Sequence, residues 1–210
     1  MNLFINLYND KNADRQKELQ ECLLKNCINK EIKLIYCIVD FEFDNKGFSE
    51  DEKIVYIKSS TRPKFNDFFN LINIYSNKDT INAIVNSDIY FDEESVRLIE
   101  ENIKSDECYA LSRWDVKDGG IIKLFNRPDS QDCWVFKGPI KKIPDCGFNL
   151  GIPGTDNAIA NRIELAGYKI LNPSKDIKTY HLHNSGIRNY TSKDRIPPPY
   201  KLIHPHNLQI

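Results

Sequence analysis

No stretch of the 210 residues approaches the roughly 18 consecutive apolar side chains that a membrane span needs. The start of the chain, Met1-Asn2-Leu3-Phe4-Ile5-Asn6, lacks the basic segment and longer apolar run of a signal peptide. The expectation is a soluble, cytoplasmic protein. Neither charge sign dominates: 29 Lys and Arg face 30 Asp and Glu, a formal net charge of −1. Gripping duplex nucleic acid through counterion release takes a clear basic excess, as does a polybasic membrane anchor, so neither partner is expected. Cys22, Cys27, Cys37, Cys108, Cys133 and Cys146 form no CxxC pair, which argues against a zinc cluster; buried, reduced thiols are expected. Three catalytic signatures are also missing. Without a GxxxxGK-S/T loop a P-loop kinase is excluded, without GxGxxG after the first strand a dinucleotide-binding dehydrogenase is poorly supported, and without GxSxG an α/β-hydrolase is disfavoured.

What is present is a hydrophobic fraction of 40% and an aromatic fraction of 11%, enough for a packed core. Strands are expected at 3–8, 32–39, 54–57 and 81–85, separated by helices at 14–26 and 65–75, with another helix at 92–103. Leu19, Leu23 and Leu24 form the apolar face of the first helix. This alternation predicts an α/β fold with a mainly parallel sheet flanked by helices. The second half reads differently, with short strands at 108–112, 121–125 and 133–136 and polar breaks, a smaller, irregular, partly antiparallel region. A helix over 156–166 follows, with Thr155 as N-cap and Gly167 as stop. The Pro197-Pro198-Pro199 tail is expected to be extended and less ordered, with His204 and His206 on its surface.

Ligands of open parallel sheets sit beyond the carboxyl ends of the strands. Tyr8-Asn9-Asp10, Asp40 and Asn86-Ser87-Asp88 occupy those positions. A carboxylate such as Asp88 suits a hard divalent cation, although an Asx turn explains the same triplet. His181 and His183, two residues apart, share one side of a strand and offer imidazole to the same metal, or are a surface pair. Asp156 at a helix start is either dipole-stabilised or a rigid general base kept ionised by that dipole. Asp132 beside Trp134 either positions a sugar hydroxyl against a stacking face or is a solvated carboxylate next to a core aromatic. Arg62 and Arg188 are phosphate or base contacts, or ordinary surface charges.

Taken in order, Tyr8-Asn9, Asp40, Asn86-Ser87-Asp88-Ile89, Ser130-Gln131-Asp132-Cys133-Trp134-Val135-Phe136, Gly154-Thr155-Asp156 and Lys178-Thr179-Tyr180-His181-Leu182-His183-Asn184-Ser185 resemble the GT-A fold nucleotide-sugar glycosyltransferases. The plan is similar to family 2, and closer to the short glycosyltransferase domains of large DNA viruses, of the chlorovirus type. The resemblance covers residues 1–190 as one domain, with 1–105 as a donor half, 106–190 as an acceptor and catalytic half, and 191–210 as a tail. It implies Mn²⁺ or Mg²⁺ as cofactor, a UDP-sugar donor and a glycan or other hydroxyl acceptor. It implies Asp88, His181 and His183 as metal ligands, with Asn86 standing where the DxD motif has its first acid. It implies Asp156 as base, although Thr155 replaces the usual Glu, with Asp132 as second candidate. Tyr8, Asn9, Asp40, Arg62, Asn86, Ser87 and Arg188 would contact the donor, and Trp134 the acceptor. The reaction implied is a single in-line displacement with inversion. A sugar-phosphate nucleotidyltransferase shares such a sheet, but Asn9-Asp10-Lys11-Asn12 is not the Gly-rich, Arg-containing loop of that class. A non-catalytic nucleotide-sugar or glycan-binding module is the non-enzyme alternative.

Overall fold

The computed structural model describes residues 1–117, 119–185 and 191–209. The strands are β1 (Asn2–Asn6), β2 (Leu34–Val39), β3 (Ile54–Lys58), β4 (Ile81–Val85), β5 (Ile89–Phe91), β6 (Glu107–Leu111), β7 (Trp114–Lys117), β8 (Ile121–Leu124), β9 (Cys133–Lys137), β10 (Lys169–Leu171) and β11 (Thr179–His181). The helices are α1 (Ala13–Ile28), α2 (Phe65–Tyr75), α3 (Glu93–Asn102) and α4 (Thr155–Leu165). A seven-stranded sheet runs in the order β10-β6-β9-β4-β1-β2-β3. All its pairings are parallel except those of β9, which is antiparallel to both β4 and β6. A second sheet, β5-β11-β7-β8, has one parallel pairing, β11 with β7.

The pleat sorts the core into two layers. Leu3, Ile5, Cys37, Val39, Ala83, Val85, Cys133 and Val135 point to the face packed by Leu19 and Leu23 of α1 and by Val96 and Ile99 of α3. Their neighbours Phe4, Tyr36, Ile38, Ile84, Trp134 and Phe136 point to the opposite face, under Phe65, Phe68, Phe69 and Ile72 of α2 and Ile159 and Ile163 of α4. Near-continuous apolar runs are what a parallel sheet covered on both faces requires. All six cysteines are buried and free.

Four local expectations need correction. Leu24 is 50% exposed, because it lies about 100° around the helix from Leu23 and only one of them can face the sheet. Thr155 is not a cap: it is inside α4, where its hydroxyl donates to the Asn149 carbonyl at 2.9 Å, and Gly154 caps the helix with φ 80°. A Cβ at Gly154 would stand 2.8 Å from the Ile196 carbonyl and 2.9 Å from the Tyr200 hydroxyl, so only glycine fits beneath the tail. That tail is extended but fastened. Lys201 N–H donates to Asn157, Ile203 N–H to Pro128 and His206 N–H to Asn172, while the His206 Nε2 accepts from the Asn172 N–H at 3.0 Å. His206 is thus a structural residue, and only His204 is exposed. Finally, β5, β7 and β10 were not expected. At three or four residues they are too short to show a period; β5 and β10 exist through partners distant in sequence, and β7 through a hairpin with β8 and a pairing with β11.

Candidate functional site

β1, β2, β4 and β6 share one direction, so their carboxyl ends meet at one edge, and β9 arrives there with its amino end. Tyr8, Asp40, Asn86-Ser87-Asp88 and Arg113 follow those strands, and Asp132 precedes β9. With Arg62, the 150–154 loop and Asp156 they line a cleft of about 760 Å³. That volume suits a small organic ligand.

Asp88, His181 and His183 are brought together by the second sheet. His181 pairs with Ile89 in the β5–β11 register, and the Leu182 N–H donates to the Asp88 carbonyl at 3.0 Å, which places a histidine on each side of that contact. His181 Nε2 and His183 Nδ1 lie 3.3 Å and 3.4 Å from Asp88 Oδ2. One ligand atom from each of the three residues falls within 4.8 Å of the others. A carboxylate oxygen with two imidazoles fits a divalent cation.

α1 supplies a further partner. Arg15 Nη2 donates to the same Asp88 Oδ2 at 2.7 Å, and its Nη1 to Glu18 Oε2 at 3.0 Å. Asn26 and Asn29 fix α1 against β5 through the Ile89 and Phe91 carbonyls, at 2.9 Å and 3.1 Å. Glu18 in turn accepts the N–H groups of Asn184 and Ser185. Burial opposes the Asp88 charge, but hydrogen bonds from His181 and His183 and the Arg15 charge hold this carboxyl well below the usual range. Burial likewise opposes charge on His181, yet Asp115, at 2.9 Å, and Asp88 raise its imidazole to about 9.

The cleft also holds two carboxylates with opposite circumstances. Asp132 is committed: Asn86 Nδ2 donates to its Oδ1 at 2.9 Å, and Arg113 Nη1 to its Oδ2 at 3.1 Å. Arg113 also pairs with Asp115 at 2.8 Å and lies 4.1 Å from the Phe125 ring centroid. Among the described residues, Asp156 accepts one hydrogen bond, from the Gln131 N–H at 3.3 Å. Burial and the nearby Asp132 charge push its carboxyl well above the usual range, against the pull of the helix dipole. The expectation that the dipole keeps Asp156 strongly ionised is therefore overturned. A raised carboxyl is the better proton acceptor. The same geometry explains Asn86: an acid there would face Asp132 at hydrogen-bonding distance, whereas the amide donates to it.

Tyr8, Asp40, Arg62, Asn86, Ser87, Asp88, Asp132, Asp156, His181 and His183 all border the cleft. Two expected residues do not join them among the described residues. Asn9 spends both ends of its amide on the Asp44 backbone, at 2.8 Å each, and does not line the cleft. Trp134 is 2% exposed in the α2-side core, edge-on to Phe65 at 6.1 Å, because even-numbered residues of β9 face away from the α1 side; it offers no face to an acceptor. Arg188 lies outside the described residues. Arg62 lines the cleft, but it donates to the Leu150 carbonyl at 2.6 Å and so also ties the loop before α4. Sequence reasoning missed Arg15, Arg113 and Asp115. The strand-end rule that selected Asn86–Asp88 also points to Arg113 after β6; Arg15, in the first turn of a helix, carries no such signal.

One sheet with a single reversed strand, helices on both faces and a small second sheet beside the carboxyl edge make this the GT-A fold. No family model and no curated protein matches the chain. Solved structures do. S. aureus TarS 1–349 in complex with UDP-GlcNAc superposes with a TM-score of 0.55 at 13% identity, over 85% of this chain and 57% of that one. The same protein in complex with UDP gives 0.54 at 12% identity, over 85% and 59%. The chain thus spans less than two thirds of the TarS structures it matches. These likenesses carry the fold, and do not extend to a particular closeness to viral domains. Among the described residues, no helix is long and apolar enough to cross a membrane.

Proposed function

We propose that this chain is a metal-dependent glycosyltransferase that moves a sugar from a UDP-sugar to a glycan or other hydroxyl acceptor, with inversion at the anomeric carbon. The observation that carries this reading is one cleft, on a GT-A fold, holding the Asp88-His181-His183 group and the separate raised carboxyl of Asp156. The UDP and UDP-GlcNAc bound to TarS support the donor class.

Tyr8, Asp40, Asn86, Ser87 and Arg62 face the donor, Asp40 toward base or ribose. Asp156 takes the acceptor hydroxyl proton as that oxygen attacks the anomeric carbon from the side opposite the nucleotide. Asp132, fixed by Asn86 and Arg113, keeps a negative charge beside Asp156 and sustains its basicity. A divalent cation on Asp88, His181 and His183, Mn²⁺ or Mg²⁺, would stabilise the departing diphosphate. The layout is a donor half over 1–105 and an acceptor and catalytic half over 106–190, with the 191–210 tail bracing the loop that bears Asp132 against α4. Calorimetry with UDP, with Mn²⁺ and with EDTA, followed by a donor panel read as sugar release, tests the reading. Metal-dependent UDP binding with slow donor hydrolysis is expected. Glycan binding with no nucleotide affinity would refute it.

A further inference from the structure

Arg15 is only 6% exposed, yet it borders the cleft and contacts the carboxylate best placed to hold a cation. Its Nη2 takes Asp88 Oδ2 at 2.7 Å, while the two imidazoles approach that same oxygen at 3.3 Å and 3.4 Å. One oxygen therefore serves three nitrogens, and the guanidinium has the shortest contact. Its other terminal nitrogen, Nη1, is held separately by Glu18 Oε2 at 3.0 Å and faces the Leu182 carbonyl at 3.4 Å. Glu18 thus anchors Nη1 independently of Asp88. Asn86 is a neutral amide, which adds no charge and donates to Asp132. A cation arriving at Asp88 thus meets a single carboxylate whose charge Arg15 already balances.

We propose that Arg15 is a resident counter-ion that competes with a divalent cation for Asp88 in the ligand-free protein and turns to the donor diphosphate when that cation is bound. It acts as a binding residue with two alternative anions, Asp88 and a phosphate, both matched by the planar guanidinium fork. Cation and diphosphate then bind cooperatively, since each removes the obstacle to the other. The diphosphate part rests on the glycosyltransferase reading; the competition for Asp88 does not.

The test is Mn²⁺ binding without nucleotide, by calorimetry and by electron paramagnetic resonance, to wild type, Arg15→Gln and Arg15→Lys. Removing a unit positive charge beside a partly buried cation site should tighten Mn²⁺ binding to Arg15→Gln at least about tenfold. Arg15→Lys should stay near wild type. UDP measured with saturating Mn²⁺ should bind Arg15→Gln about tenfold more weakly, the loss of one charge-assisted contact. Arg15→Met carries the same two expectations if the Gln variant does not fold. Unchanged or weaker Mn²⁺ binding in a neutral variant that melts like wild type would show that Arg15 merely holds Asp88, and would overturn the proposal. So would the absence of Mn²⁺ binding in all variants. If tighter Mn²⁺ binding appears and no nucleotide binds, the competition stands and the glycosyltransferase reading fails.

Discussion

Replacing Asp156 with Asn changes one proton and one charge and little else. The side chains are isosteric, and the Asn carbonyl oxygen can still accept the Gln131 N–H that now sits 3.3 Å from Asp156 Oδ2. Asn cannot take a proton from an acceptor hydroxyl. A positioned general base contributes about 10² to 10⁴ in rate, so transfer should fall by that factor, about 2.7–5.4 kcal/mol of transition-state stabilisation. The loss should appear in kcat with UDP affinity unchanged, because the proposed base acts on the acceptor hydroxyl and not on the nucleotide. Stability should move the other way. The fold raises the Asp156 carboxyl, by burial and by Asp132, so it binds that proton more tightly than the unfolded chain does. The associated stability is full below the unfolded carboxyl value and is lost as pH rises through the folded one. At pH 8 the wild type therefore carries a cost that the Asn variant lacks, and the variant should melt higher there, with the gap narrowing in acid. Wild-type kcat should rise with pH through a value above that of an ordinary carboxyl. A variant that keeps wild-type turnover while Asp132→Asn loses it would move the base to Asp132. Melting below wild type at pH 8 would refute the burial argument itself.

Asn86→Asp, which restores the formal DxD acid, should impair the protein: it exchanges a hydrogen bond to Asp132 for like-charge repulsion, at about 1–3 kcal/mol in denaturant unfolding, and should lower transfer. Trp134→Ala should cost about 3–5 kcal/mol as a core truncation, while Trp134→Phe should fold and keep acceptor KM; a selective KM rise in the Phe variant would restore a stacking role.

How much was legible follows from range. The helix at 65–75 and the strand at 81–85 are observed with those bounds, since each carries a period long enough to read. Asp88 and Asp156 were marked by what adjoins them, a strand end and a helix start, which are local properties. Trp134 was ambiguous because an aromatic on a short strand reads alike whether it meets a ligand or Phe65, and only the sheet face decides. Asn9 failed for a similar reason: its partner, Asp44, is 35 residues away.

From the sequence alone came the alternation of strand and helix, the covered parallel sheet and the polar residues at its carboxyl edge, because backbone propensity and hydrophobic period act over a few residues. Tertiary structure alone decided which of those residues share a charge. It set Arg15 on Asp88 across 73 positions and Asn86 on Asp132 across 46, and it left Asp156 with the raised carboxyl. Electrostatic coupling depends on distance through space and on burial, and neither is written in the order of the chain.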